Sequence, residues 1–84
     1  MKTNKSAKYF TAPWCGPCRM YGPIINQLVE EGYTIEKINV DSEISKATEY
    51  RVMSVPTVVI EDESGVTDIL VGVHSLEEIK EKLS

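Results

Sequence analysis

The sequence is poor in cysteine, in positive charge and in long apolar runs. It has only two cysteines, three positions apart, which excludes the disulfide frameworks of small secreted domains. No apolar run approaches the roughly 18 residues that a membrane-spanning helix needs, and no apolar segment follows the basic N-terminus as in a signal peptide. The net charge of −4, from 9 basic and 13 acidic side chains, argues against a nucleic-acid surface. We therefore expect a cytoplasmic protein without nucleic-acid or membrane partners.

Length and composition predict one small globular domain. The chain has 84 residues, of which 42% are apolar and 26% charged, a balance typical of folded rather than disordered chains. No internal repeat, low-complexity tract or linker divides it. We therefore expect residues 1–84 to form a single domain that acts as a monomer.

The hydrophobic pattern predicts the element order β-α-β-α-β-β-α. Strands are expected where residues alternate or are β-branched, at 7–11, 34–40, 55–60 and 66–71. A helix between the first two strands allows them to pair in parallel through a right-handed crossover. The short turn at 61–65 makes the last two strands antiparallel. The expected fold class is α/β, with a four-stranded mixed sheet flanked by helices.

Capping residues suggest where the helices begin and end. Asp41 or Ser42 is expected to cap the short second helix. Gly32 is expected to end the first helix, because it tolerates a left-handed backbone. Ser75, three residues before Glu78, fits the capping box of the final helix.

The two cysteines flank Gly16 and Pro17, where the first strand gives way to the first helix. Cys15 is expected at the N-terminus of that helix, where unpaired N–H groups and the helix dipole favour an anion. A thiolate is the nucleophilic form of cysteine, so this position favours a reactive thiol near neutral pH. Cys18 lies one turn along and can attack a mixed disulfide formed on Cys15. Pro17 stiffens the turn and lacks an N–H that would otherwise be unpaired.

Two other functions of a cysteine pair are less favoured. A four-ligand zinc site of Cys and His cannot be completed within one chain, because there is no second cysteine pair and His74 is the only histidine. A purely structural disulfide would close a very short loop and constrain little of the unfolded chain. We therefore expect a redox-active dithiol and no metal.

The string Trp-Cys-Gly-Pro-Cys at residues 14–18 resembles the active-site signature of thioredoxins. A second match lies at residues 54–57, where Ser-Val-Pro-Thr resembles the cis-proline loop of that family. Similar residues also recur singly along the chain, at Phe10, Pro23, Lys37, Asp41, Gly65 and Gly72. The similarity runs from about Ala7 to the C-terminus. It implies a minimal thioredoxin fold and thiol–disulfide oxidoreductase activity, with Cys15 as the nucleophile and Cys18 as the resolving thiol.

The resemblance also implies where a substrate binds. Pro56 is expected to follow a cis peptide bond, beside the cysteines. Val55 would then offer its backbone N–H and C=O to an extended substrate. Trp14 is expected to be an exposed platform rather than a core residue, and Gly72 to allow close approach of a substrate backbone. The expected substrate contacts are Trp14, Gly16, Pro17, Val55, Pro56, Gly72 and Val73.

Two departures from the family pattern stand out. The chain lacks the extra N-terminal strand and helix of full-length thioredoxins, and its size is closer to a glutaredoxin or to short thioredoxin-like proteins of archaea and phages. Tyr9 stands where the family places a buried aspartate behind the cysteines. Its hydroxyl is a candidate for the proton-transfer role of that acid, against the plainer alternative of a packing aromatic. Lys37 is a candidate for an electrostatic role beside it, against the alternative of a solvated lysine.

Three functions remain open at this stage. The preferred one is a reductase of protein disulfides, with no bound cofactor, re-reduced by a flavin- and NADPH-dependent thioredoxin reductase. A glutaredoxin-like enzyme that uses glutathione is supported by the short length and opposed by Trp14 and the Gly16–Pro17 pair. The third is a non-enzymatic thioredoxin-fold module that binds a partner through its groove. An iron–sulfur-bridged dimer is a less favoured fourth.

Overall fold

The computed structural model describes residues 4–84, which follow the predicted order of strands and helices. The elements are β1 (Ser6–Thr11), α1 (Cys18–Glu30), β2 (Ile35–Asn39), α2 (Ile44–Glu49), β3 (Thr57–Asp62), β4 (Gly65–Val71) and α3 (Leu76–Leu83). Within these residues, no helix combines the length and apolar character needed to cross a bilayer.

The four strands form one mixed sheet in the order β2-β1-β3-β4, as expected for this fold class. β1 pairs with β2 in parallel, and β3 is antiparallel to both β1 and β4. Thr57, the first residue of β3, lies opposite Phe10 near the end of β1 and opposite Val71 at the end of β4. The register therefore brings the segment before β3 and the segments after β1 and β4 to the same end of the sheet.

The third strand differs from its predicted bounds at both ends. It begins at Thr57 rather than at residue 55, because Pro56 has no N–H to donate to the ladder and the Thr57 hydroxyl turns back to the Ser54 carbonyl, 2.8 Å away. It continues to Asp62, with a register shift between Ile60 and Glu61. The hairpin turn is therefore shorter than the five residues expected.

Helices cover both faces of the sheet. α1 and α3 pack on one face, where α1 presents buried residues three to four positions apart. The core of this face contains Ala7, Tyr9, Tyr21, Ile25, Leu28, Val58, Ile60, Leu70, Ile79 and Leu83. On the opposite face a smaller core of Phe10, Ile38 and Val59 packs against residues in and around α2, including Ala47 and Tyr50. Burial of β3 on both faces explains why its first four residues are all apolar or β-branched.

Two of the expected helix caps are confirmed and one is wrong. Gly32, with a φ of 97°, follows Glu31, the C-cap residue of α1, and the Ser75 hydroxyl accepts a hydrogen bond from the Glu78 N–H at 3.1 Å. The second helix begins later than expected, with Glu43 as a residue that makes no side-chain cap. Ser42 instead donates its hydroxyl to the Asn39 carbonyl at 3.3 Å, in the turn before the helix.

A partly buried charge cluster lies on the α2 face of the sheet. The ammonium group of Lys8 pairs with the carboxylate of Glu61 and lies 5.3 Å from the centre of the Tyr50 ring. Burial alone would lower the pKa of Lys8, but its interactions with Glu61 and Tyr50 outweigh burial and raise that pKa above 10.5. The ion pair therefore favours the folded state at neutral pH.

Candidate active site

The two cysteines form a disulfide in the turn between β1 and α1. Their Cα atoms are 5.3 Å apart, and the Cys15 N–H donates to the Ala12 carbonyl at 3.1 Å, which closes the turn. α1 begins at Cys18, with Pro17 at the N-cap position, so Cys15 lies just before the helix rather than within it. Both cysteines are buried, with 4% and 7% of their surface exposed. Exposure therefore does not distinguish the two sulfurs.

The amide at the start of α1 does distinguish them. The Cys18 N–H donates to the Sγ atom of Cys15 at 3.2 Å. The first turn of the helix carries no acidic side chain that would oppose an anion there. A backbone donor and the positive end of a helix both favour negative charge on the atom they face. The arrangement therefore favours negative charge at the Sγ atom of Cys15 over that of Cys18.

An aromatic side chain lies behind Cys18. Tyr9 is 5% exposed, and its hydroxyl donates to the Cys18 carbonyl at 3.2 Å. Its ring meets that of Tyr21 edge to face, with centroids 5.5 Å apart. The Tyr9 proton is thus engaged by the backbone of Cys18. Lys37 lies opposite Tyr9 in the register of β1 and β2, and its ammonium group donates to Asn26 at the surface, 2.8 Å away.

Trp14 is an exposed residue beside the disulfide, as the sequence suggested. It is 68% exposed, and its indole N–H donates to the Asp41 carboxylate at 3.0 Å. Asp41 lies two residues before Glu43, the N-cap residue of α2, so it does not cap that helix. Its bond to Trp14 holds the ring against the start of a shallow groove. The groove has a volume of about 160 Å³ and is lined by Trp14, Val40, Val52, Met53, Ser54 and Val55.

The cis-proline segment and the end of β4 meet beside the turn. The Val55–Pro56 peptide bond is cis, which confirms that expectation. The Pro56 carbonyl accepts a hydrogen bond from the Gly72 N–H at 2.9 Å. Gly72 has a φ of 88°, a left-handed backbone that favours glycine, and Val73 beside it is exposed. The structure thus brings Pro56 and Gly72 together, and Val55 packs against the cysteines.

Gly16 and Pro17 form the exposed outer part of the turn between the cysteines. The Gly16 carbonyl accepts from the Arg19 N–H at 3.0 Å, and the Pro17 carbonyl from the Met20 N–H at 3.1 Å. An ideal Cβ added at Gly16 would meet nothing within 4 Å, so this side of the turn is open. In the described residues, no group of three or more His, Cys, Asp or Glu side chains is placed to hold a metal ion.

Two groups near the site were not assigned roles from the sequence. Met53 is 97% exposed at the groove, where it extends the apolar surface around Trp14. Tyr21 is fully buried, and its hydroxyl accepts a hydrogen bond from the His74 N–H at 2.7 Å. Burial raises the pKa of Tyr21 above 10.0, although the bond from His74 opposes this. Its spacing of three residues from Cys18 places both side chains on one helix face, but no sequence signal indicates the contact with His74.

Comparison with known proteins leads to one family. The thioredoxin family model matches residues 3–84. A thioredoxin of Mycoplasmoides gallisepticum is 34% identical over 86 aligned positions, which cover 99% of this chain and 86% of the relative. A thioredoxin of Pyropia yezoensis is 39% identical over 66 residues, which cover 75% of this chain and 62% of the relative. The matched region is thus less than two thirds of that second protein.

Solved structures show the same fold. A mutant thioredoxin from Halobacterium salinarum superimposes with a TM-score of 0.89 and is 30% identical in sequence. The superposition covers 96% of this chain and 73% of that one.

Proposed function

This chain belongs to the thioredoxin family of thiol–disulfide oxidoreductases, and from that premise we propose that it reduces protein disulfides through Cys15 and Cys18. The thioredoxin fold and the family resemblance inferred from the sequence are both confirmed. The observation that supports the proposal most directly is the hydrogen bond from the Cys18 N–H to the Cys15 sulfur. It makes Cys15 the better candidate for the attacking thiolate.

The reaction proceeds through a mixed disulfide. The Cys15 thiolate attacks one sulfur of the substrate disulfide, whose S–S bond breaks, and the other substrate sulfur leaves as a thiolate. Cys18 then gives its proton to solvent and attacks the Cys15 sulfur, which releases the second substrate sulfur as a thiolate. Two electrons pass to the substrate, and the Cys15–Cys18 disulfide forms. That disulfide is the state the structure describes.

The substrate binds across the turn and the cis-proline segment in this proposal. Val55 pairs with the substrate backbone, and Trp14 with Met53 offers apolar surface beside the target disulfide. Gly72 and Val73 line the other side, and Gly16 with Pro17 leaves the approach to the sulfurs open. Tyr9 supports the backbone of Cys18 through its hydroxyl rather than acting as a base. For Lys37 the bond to Asn26 favours a surface role.

An external reductase is the proposed electron source. The relatives that match the chain are named thioredoxins, and this favours a flavin- and NADPH-dependent thioredoxin reductase over glutathione. No bound cofactor takes part, because thiol–disulfide exchange needs only the two sulfurs. We place the protein in the cytoplasm, acting as a monomer of one domain over residues 1–84 on disulfide-containing proteins.

Insulin reduction with parallel electron donors tests the proposal. Turnover is expected with thioredoxin reductase and NADPH, slower turnover with glutathione, and none after Cys15→Ser in either arm. Turnover with glutathione alone would favour the glutaredoxin-like alternative. Absence of turnover with the reductase, glutathione and dithiothreitol would refute enzymatic disulfide reduction and leave the binding module.

A further inference from the structure

The loop that carries Gly72 and Val73 is held from two sides. On one side the Gly72 N–H donates to the Pro56 carbonyl at 2.9 Å. On the other side the His74 N–H, two residues along, donates to the hydroxyl of Tyr21 at 2.7 Å. The loop is therefore hydrogen-bonded both to the cis-proline segment and to α1, the helix that begins at Cys18.

The ring of His74 ties the same loop to two further elements. Its Nε2 atom lies 3.0 Å from the Val71 carbonyl at the end of β4, and its Nδ1 atom lies 2.9 Å from the Glu78 carboxylate on α3. A carbonyl and a carboxylate are both acceptors, so each ring nitrogen faces a group to which it can donate. His74 thus contacts β4, α3 and, through its backbone, α1.

Tyr21 connects this loop to the cysteines. It is fully buried and lies one helical turn after Cys18. Its ring packs edge to face on Tyr9, whose hydroxyl donates to the Cys18 carbonyl. A buried hydroxyl that accepts a backbone N–H has little freedom to move, since the N–H would lose its partner. The contacts therefore run without interruption from the backbone of Cys18 to the loop at the end of β4.

We propose that Tyr21 and His74 are positioning residues that set the distance between the Gly72–Val73 loop and the disulfide, and so determine affinity for protein substrates. The inference rests on the proposed function, because it assumes that this loop binds the chain around the target disulfide. A protein disulfide must fit between the loop and the cis-proline segment. A small disulfide only has to reach the Cys15 sulfur, and it does not need the loop.

Replacement of Tyr21 by Phe tests this role with little change in shape. The variant keeps the ring that contacts Tyr9 and removes only the acceptor of the His74 N–H. Reduced protein is mixed with increasing insulin, and single-turnover reduction is followed by the fluorescence of Trp14, the only tryptophan, beside the disulfide. The half-saturating insulin concentration should rise about fivefold to tenfold, with the limiting rate within about twofold of the unchanged protein. The rate with 5,5′-dithiobis(2-nitrobenzoic acid), a small disulfide, should stay within about twofold.

Tyr33→Phe is the matched control, because it removes a phenolic hydroxyl from a partly buried tyrosine that packs against the same core beyond the opposite end of α1. It should leave both substrates unaffected. Equal losses with insulin and the small disulfide in Tyr21→Phe, or no loss with either, would overturn the proposal. If the unchanged protein reduces the small disulfide but not insulin, the proposed function itself fails, and this inference fails with it.

His74→Ala gives a second, independent test at a partly exposed position. It removes both ring contacts and leaves the backbone N–H in place. The half-saturating insulin concentration should rise about threefold, again without a change for the small disulfide. This variant decides the question if circular dichroism shows that Tyr21→Phe is unfolded. An unchanged insulin dependence in His74→Ala would contradict the proposal.

Discussion

Tyr9 occupies a buried position behind Cys18, and the structure predicts that an acid cannot simply be placed there. Tyr9→Asp would remove an aromatic ring that is 5% exposed and that packs on Tyr21. It would also place a carboxylate in the core behind Cys18. Tyr9→Phe is the matched variant, because it keeps the ring and removes only the hydroxyl that donates to the Cys18 carbonyl.

The two variants should differ clearly in stability. Loss of a buried aromatic side chain costs about 3–5 kcal/mol, before any penalty for burying a charge. Loss of the Tyr9 hydroxyl should cost about 0.5–1 kcal/mol, since a helical carbonyl such as that of Cys18 keeps its own partner along α1. A folded chain of 84 residues has a total stability of about 4–13 kcal/mol. Tyr9→Asp therefore removes a large part of the stability, and Tyr9→Phe does not.

Urea unfolding of the oxidised proteins at neutral pH, followed by circular dichroism, measures both values. Tyr9→Phe should also release the mixed disulfide at a rate within about threefold of the unchanged protein, because Tyr9 is not the base in this account. The reasoning would be refuted if Tyr9→Asp were as stable as Tyr9→Phe. A loss of about a hundredfold in the release rate of Tyr9→Phe would instead make the hydroxyl a proton-transfer group.

Three further predictions concern the resolving thiol, the loop after β4 and the charge cluster. Cys18→Ser should accumulate a mixed disulfide between Cys15 and insulin that mass spectrometry detects; a rapid release of product would argue against Cys18 as the resolving thiol. Gly72→Ala and Gly65→Ala should each lose about 1–2 kcal/mol of stability, since both glycines have positive φ. An added Cβ meets nothing within 4 Å at either position, so the loss comes from the backbone conformation and not from a clash. Only Gly72→Ala should weaken insulin binding, and equal binding by both variants would count against the proposed groove. The raised pKa of Lys8 means that its contribution is complete below pH 10.5 and is lost as pH rises through the folded-state pKa. Lys8→Met should therefore lose less stability than the unchanged protein as the pH is raised above 10.5 in urea unfolding, and an identical loss would contradict this.

Local sequence signals predicted the sheet well and its irregular ends less well. The β-branched run in β3 indicated a strand buried on both faces, because such a pattern has few other stable environments. Its first residue was misplaced, because Pro56 has no N–H to donate to the ladder and the Thr57 hydroxyl turns back to the Ser54 carbonyl. Asp41 was expected to cap a helix, but the same carboxylate accepts the indole N–H of Trp14. A cap and a long-range acceptor require the same residue type, and only the fold decides between them.

Contacts between distant parts of the chain could not be predicted from the sequence. The cysteine pair and the cis-proline segment carry local motifs, so their proximity follows from the family resemblance. Tyr21 and His74 are 53 positions apart, and neither lies in a motif. Their hydrogen bond depends on how α1 and the end of β4 pack against the sheet, which hydrophobic periodicity does not specify.

Direct titration of Cys15 tests the central claim, that the start of α1 stabilises its thiolate. The measurement is the ultraviolet absorbance of the thiolate at about 240 nm as a function of pH, on the Cys18→Ser variant, in which Cys15 is the sole thiol. The N–H that faces the Cys15 sulfur remains in that variant, because it belongs to the backbone. The account predicts a midpoint below the ordinary cysteine value of about 8.5. A midpoint at about 8.5 or higher would contradict it.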